Sequence, residues 1–314
     1  MSRTKLARVA LAAALLFCSG AQAQLFRAYL SSSGSDANPC TLQAPCRLLP
    51  AAIAAVASNG EIWMLDSANY NTATVNVDRS VSILAIPGVV GSIVALNGGP
   101  AVSITLGGLV VAFRNVVLAP VAGATPGTDG IAMTGASSLV IEDSVIFGLP
   151  GNGISVAGQG ELTVVRSTIR NGAGLAISLS GGARATISDS HILQFGGLYA
   201  QSNSASNVTT ASISDSVISG ASGAAVEARS VGQNPVARVA VTRSTIEGSA
   251  VALKATSNGN RNRLALITFS GSTIAGNTTS WHQSGIGASI VTLGNNHIAD
   301  NDSFVGTTTS TSLQ

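Results

Sequence analysis

The sequence predicts an all-β solenoid, a rod of stacked coils built from short parallel strands. Three observations predict it: a segment that recurs along the chain, an apolar period of two inside each copy, and a break in that period at the same place each time. The clearest copy is VIEDSVIFG, residues 140–148, centred on Ser144. Related segments centre on Asn115, Ser167, Ser190, Ser216, Ser244, Ser272 and Asn296, at intervals of 23 to 29 residues.

Two residues after each centre stand Val117, Ile146, Ile169, Ile192, Ile218, Ile246, Ile274 and Ile298. Three before it stand Ala112, Ile141, Val164, Ile187, Ile213, Val241, Phe269 and Leu293, and positions between, such as Thr163, Ser188 and Thr242, are small or polar. That alternation marks strands with one buried face. An unbent strand would also bury the residue just before the centre, which is Arg114, Asp143, Arg166, Asp189, Asp215 or Arg243. Burying such a column is prohibitive, so the chain is expected to turn there, with the charge outside and the Ser or Asn inside the bend. Glycines such as Gly158 and Gly160, or Gly181 and Gly182, close a further short strand in each coil. About nine coils, at roughly 4.8 Å per step, make a rod of about 45 Å. Helical repeats are excluded because no period of 3.6 is present.

Composition fits this reading. Of 314 residues 46% are hydrophobic, enough to form a core, while 10% are charged and the net charge is +2. Such a chain is neither disordered nor suited to nucleic acid. At the N-terminus Arg3, Lys5 and Arg8 precede an apolar run to Phe17, followed by Ala21-Gln22-Ala23. This pattern predicts a secretory signal over residues 1–23, cleavage before Gln24, and a secreted or periplasmic protein. Acylation of Cys18 is the poorer reading, because bulky Phe17 precedes it. No later apolar run has the length of a membrane span. An even pair in an exported chain, Cys40 and Cys46, is expected to form a local disulfide contributing about 2 kcal/mol, and metal binding by two thiolates alone is the weaker alternative.

The repeats resemble the right-handed parallel β-helix proteins of the pectin-lyase-like fold, from about Gly60 to the C-terminus. The stretch PCRLLPAAIAAVASNGEIWMLDSANYNTATVNVDRSVSILAI resembles the short capping helix and first coil of many members. GSDANPC followed by APCR is similar to a bacterial group of exported β-helix proteins of undefined function. The resemblance implies a single-stranded right-handed β-helix over 60–305, a cap segment over 24–59 holding the disulfide and a short helix, and a flexible tail over 306–314. It also supplies the ligand class, a polysaccharide or cell-surface glycan.

The motifs that carry chemistry elsewhere in this fold are missing. Pectate lyases of the fold use acidic Ca²⁺ ligands with a basic residue on one face, and polygalacturonases use Asn-Thr-Asp, Asp-Asp and Gly-His-Gly. Neither set occurs here; the only adjacent acidic pair is Glu142-Asp143, and His191, His282 and His297 are scattered. Five serines equivalent to Ser144 argue against a nucleophile and for a ladder of corner hydrogen bonds. Charges in the corner column mostly alternate in sign, as cross-strand pairs do. Its exception is Asp189 beside Asp215, flanked by Arg166 and Arg243 with His191 nearby. Two carboxylates about 5 Å apart suit a retaining glycosidase or Ca²⁺, but the arginines would keep both ionised. A polysaccharide lyase or glycoside hydrolase built on these five residues is therefore the alternative reading. Asp300 and Asp302 in ADNDSF read as a weak Ca²⁺ site or simply a turn, and apart from Ca²⁺ no cofactor is called for.

The first choice is a non-catalytic binding ridge. The longer coils place their extra residues at one point of the cycle, 200–210, 228–238 and 254–264. These bring together Gln201, Asn203, Asn207, Arg229, Asn234, Arg238, Lys254, Arg261 and Arg263, with Tyr199 and Trp281 as aromatic candidates. Amide and guanidinium groups in that number suit the hydroxyls and carboxylates of a glycan.

Overall fold

The computed structural model describes residues 24–121, 125, 127–204, 207–232, 235–259 and 264–311. The signal segment, Asn234, Arg261 and Arg263 lie outside the described residues. The chain winds as a right-handed solenoid of three parallel sheets, one of twelve strands and two of ten, with each strand hydrogen-bonded to its counterparts one coil before and after. The opening pair of strands in the two smaller sheets, Ala68–Asn69 and Val75–Asn76, have two residues each, which leaves the expected nine or so full coils.

One coil shows why the sequence folds this way. Glu161–Val165 lies in the first sheet, Thr168–Arg170 in the second and Leu175–Leu179 in the third, before Arg184–Ser188 begins the next coil. Registration is residue for residue: Val164 pairs with Ile187, Ile169 with Ile192 and Ile177 with Leu198. The inward residues thus stack into apolar columns, all of these being buried. At about 1.5 to 3 kcal/mol per buried aliphatic side chain, these columns dominate the favourable side of folding.

The break in alternation is a left-handed backbone residue. Asp143, Arg166, Asp189, Asp215 and Arg243 have φ of 50°, 44°, 49°, 51° and 44°. One residue in that conformation redirects the strand and throws its own side chain outward, as the charges required. A second corner does the same at Gly148, Asn171, Gln194, Gly220, Gly248 and Gly276, all with positive φ.

The residue after the first corner points in and builds a serine ladder. Each hydroxyl donates to the carbonyl two residues earlier, as Ser190 Oγ does to Ser188 O at 2.7 Å, and accepts the N–H of the preceding coil, as from Ser167 at 3.2 Å. The same double bond recurs at Ser144, Ser167, Ser216, Ser244 and Ser272. This ladder joins side chain to backbone, so the corner backbone groups are satisfied by the serine hydroxyls. Asn296 ends it, its Oδ1 accepting the Ser272 N–H at 2.9 Å.

Two expectations about individual coils are corrected. Around Asn115 the register slips by one: Asn115 itself takes the left-handed corner with φ 53°, Arg114 pairs with Glu142, and Phe113 and Leu118 are buried in place of Ala112 and Val117. Valine 116 therefore holds the ladder position, and Val117 faces out. In the last full coil Leu293 is half-buried and Ile298 is 42% exposed, because no further rung covers them among the described residues.

At the other end Leu25–Leu30 pairs parallel to Val56–Met64, and the helix Leu49–Ala55 buries Leu49, Ala52 and Ile53 against the first strands. Its entry is prepared by Asp36, whose carboxylate accepts the Arg47 and Leu48 N–H groups. Cys40 and Cys46 form the expected disulfide, with Cα atoms 4.6 Å apart. Asp66 ties this end together, accepting from the Ser31 and Ser32 hydroxyls, the Ser32 N–H and the buried Tyr70 hydroxyl. Burial pushes its carboxyl up, but these donors outweigh that and hold it below its ordinary value. In the segment expected as a tail, Thr309–Ser310 pairs with Val291 and Thr292.

Candidate functional site

The corner column is mostly occupied by ion pairs. Arg166 grips Asp143 through two bonds of 2.9 and 3.0 Å and also reaches Glu142. Arg114 holds the other oxygen of Glu142 at 2.9 Å, so this carboxylate, unmatched in other coils, is clamped between two guanidiniums. Arg243 takes both oxygens of Asp215 at 2.8 and 2.6 Å. The hydrogen bond from Arg243 lowers the Asp215 carboxyl, as that from Arg166 lowers Asp143. A carboxylate held ionised in this way is poorly placed to donate a proton. Asp189 makes no ion pair among the described residues, and His191 is exposed, pairing in sequence register with Thr168 and Val217. Of the five candidates, Asp215 and Arg243 are thus paired with each other and Arg166 is committed to Asp143 and Glu142, with Asp189 and His191 left between them. Among the described residues no three acidic, histidine or cysteine side chains converge as a metal site.

The longer coils are more informative. Much of what reads as loop is strand: Gly196–Ser202, Ala224–Ser230 and Val251–Ser257 in the third sheet, and Val208–Ser214 and Val236–Thr242 in the first, have seven residues each. The added residues extend both sheets beyond the regular coil as a thin two-layered flange. Small side chains fill its interior, with Ala200, Ser202, Ala228, Ser230, Ala255, Thr209 and Ala237 all buried. Their size lets two layers approach where no room for a full core exists. The buried hydroxyls are satisfied across the bend, Thr209 Oγ1 donating to Gln201 O at 2.8 Å, Ser202 Oγ to Asn207 O at 2.9 Å and Ser230 Oγ to Pro235 O at 2.8 Å.

The sequence held a signal for this flange that loop length obscures. Tyr199-Ala200-Gln201-Ser202, Glu227-Ala228-Arg229-Ser230 and Lys254-Ala255-Thr256-Ser257 share one pattern and align rung on rung. Alanine and serine face in; the variable residues face out as two columns, Tyr199, Glu227, Lys254 and His282, and Gln201, Arg229 and Thr256. Tyr199 donates its hydroxyl to Gln201 Oε1 at 2.7 Å and accepts from Arg229 Nη1 at 3.4 Å. Burial raises the Tyr199 phenol above its ordinary value, against the pull of Arg229, so it remains a neutral donor. Lys254 is engaged with Glu227 at 3.3 Å. Beyond Tyr199, toward the N-terminus, the same outward column holds the small residues Ser178, Ser155, Ala132 and Ser103 before it ends at Asn76. The tyrosine therefore stands as a step at the end of a low floor.

The remaining ridge candidates separate. Arg238 lies on the first sheet, on the opposite side of the flange from Arg229, in the outward column Glu161, Arg184, Thr210, Arg238. There a cleft of about 420 Å³ is lined by Gln159, Glu161, Arg184, Asn207 and Val208. Gln159 Nε2 donates to Asn207 Oδ1 at 3.4 Å across it, and Gly182 keeps its floor low, since a Cβ there would lie 3.1 Å from Asn207. Asn203 is exposed at the flange tip. Trp281 lies near the uncovered end of the core, its ring centroid 5.2 Å from that of Phe304.

The described helix is too short to cross a membrane. No curated protein matches the sequence. Among solved structures the chain is similar to the pectate lyase Pel9A, with 16% identity, a TM-score of 0.67 and coverage of 93% of this chain and 80% of that one. It is also similar to XylC, solved in complex with xylose, with 9% identity, a TM-score of 0.64 and coverage of 87% and 69%. Identities this low establish a shared fold alone. The family model for the right-handed β-helix region matches residues 100–268, more than half of the sequence and all of the regular coils that build the flange. With the three-sheet winding seen here, the chain belongs to the right-handed β-helix family.

Proposed function

We propose that this is an exported β-helix protein whose flange binds a polysaccharide without cleaving it. The observation that carries the reading is the Tyr199, Gln201 and Arg229 cluster, which presents an aromatic ring, an amide and a guanidinium at a step above a floor of small residues. A ring offers an apolar surface to a sugar face, the amide serves hydroxyls, and the guanidinium serves a carboxylate in bidentate fashion. Asn203 and Lys254 extend the candidate surface, and Arg238 with Arg184 lines its reverse side. The disulfide supports an oxidising compartment. Xylose bound to XylC and the pectate lyase activity named for Pel9A support a saccharide ligand by likeness of fold.

The test is retention on immobilised acidic and neutral polysaccharides, with and without Ca²⁺, while products are followed in parallel. Retention without products, weakened about tenfold by Arg229→Ala or Tyr199→Ala, supports the proposal. Arg261→Ala with Arg263→Ala is expected to weaken it further. Unsaturated or reducing-end products that disappear in Asp189→Asn would replace it with the lyase or glycoside hydrolase reading.

A further inference from the structure

The outer face of the second sheet carries a feature unrelated to the flange. Its outward column begins polar at Asn69 and Ser92, becomes apolar at Val117 and Val145, and is polar again at Thr168 and His191. Phe147 stands beside Val145, and Val90, 54% exposed, borders the same strip. Together they line a groove of about 620 Å³. Val117 takes this outward place through the one-residue register slip at Asn115, next to Val145.

One charged residue, Arg170, lines the groove, at the end away from Asn69. Arg170 pairs in register with Phe147, its guanidinium carbon lies 5.1 Å from the ring centroid, and Nη1 donates to Asn171 Oδ1 at 3.1 Å. Among the described residues it makes no ion pair, and no carboxylate lines the groove. From Asn69 to Arg170 the strip crosses four rungs, about 19 Å. An elongated apolar trough with one cation in its lining, Arg170, matches an amphiphile with an anionic head, and at the far end Arg47 is engaged with the Asn69 carbonyl at 2.7 Å. Its ten lining residues fall short of the 20 to 30 per side of a stable protein interface.

We infer that this groove binds a medium-chain carboxylate, the alkyl chain along Val117 and Val145 and the head group on Arg170. Volume and composition agree with small-ligand sites, which are mostly apolar with few polar groups. The inference is independent of the flange, so either stands if the other fails.

The experiment is isothermal titration of the full chain with decanoate, decanol and decyltrimethylammonium, each below its micelle concentration. Affinity should be highest for decanoate and lowest for the ammonium, and should rise by up to about fourfold per added methylene in a carboxylate series. Arg170→Gln should lower decanoate affinity about tenfold and leave decanol within about twofold. Val117→Asn should weaken both ligands, while Arg229→Ala should change neither. Absence of saturable binding, equal affinity for the three head groups, or an unchanged Arg170→Gln protein would overturn the inference. So would self-association through this face that decanoate does not compete with.

Discussion

Replacing Ser190 by alanine tests what holds the corners. The side chain is 2% exposed, and its hydroxyl makes two bonds, to Ser188 O and from the Ser167 N–H. They are not equal in consequence. The Ser188 carbonyl also accepts the Arg166 N–H at 3.2 Å, so it keeps a partner when the hydroxyl is removed. The Ser167 N–H loses the Ser190 hydroxyl as its acceptor, at a cost of about 1 to 3 kcal/mol for a buried orphan donor. The loss should therefore be about 2 kcal/mol, most of it from one amide. In a solenoid, stability is close to a sum of nearest-neighbour terms, so the damage should be local. Urea unfolding measures the total, and amide exchange reads the site, where the Ser167 N–H should exchange about thirtyfold faster. Ser188→Ala, at the end of the strand before the corner and with a side chain that takes no part in the ladder, should stay within about 0.5 kcal/mol. A Ser190→Ala protein equally shallow in its loss, with the Ser167 amide as protected as before, would refute the ladder as a stabilising device.

Other outcomes follow from single residues. Asp66→Asn should cost about 2 kcal/mol by calorimetry, since it removes a charged acceptor of several bonds. Because the Asp66 carboxyl is held below its ordinary value, the native state contributes stability above about pH 4 and loses it as pH falls through the lowered value; the Asn variant should show a flatter acid limb in melting temperature. Gly197→Ala places a Cβ 1.9 Å from the Ala225 carbonyl oxygen, so two rungs at the root of the flange must part, with a loss of about 3 kcal/mol and weaker glycan retention. Arg166→Gly relieves a left-handed residue while removing exposed ion pairs, and should be near neutral in urea unfolding. Arg166→Val keeps the backbone demand, loses the pairs, and should be the worse of the two by about 1 to 2 kcal/mol.

How far the chain could be read ahead depended on repetition. Ile141, Val164, Ile187 and Ile213 declare a strand face because the same requirement recurs in each coil, and averaging over coils removes accident. The corner was legible by the same argument, from charges where parity demanded apolar residues. A single coil offers no averaging, which is why the slip at Asn115 passed unseen: Val116 and Val117 are both apolar, and it takes the corner at Asn115 and the pairing of Ile146 with Leu118 to distinguish them. The flange was half legible. Its length was counted, but the repeated alternation around Ala200, Ala228 and Ala255 encodes two packed layers where loops were expected.

The candidate sites were less legible still, because they depend on which neighbour a long side chain selects. Sequence order leaves Arg166 equidistant from Asp143 and Asp189, and only the stacked corners place it on Asp143 with Glu142 added. Likewise Arg229 and Arg238 are nine positions apart and belong to one run of sequence, yet the flange sets them on opposite faces. By itself the sequence determined the solenoid, its coil length, the buried columns and the polar corners, all consequences of short-range periodicity and burial. The tertiary structure alone decided the partners of each charge, the Tyr199 cluster and the apolar groove beside Arg170, because those arise from residues one coil apart, where a displacement of one position in register exchanges inside for outside.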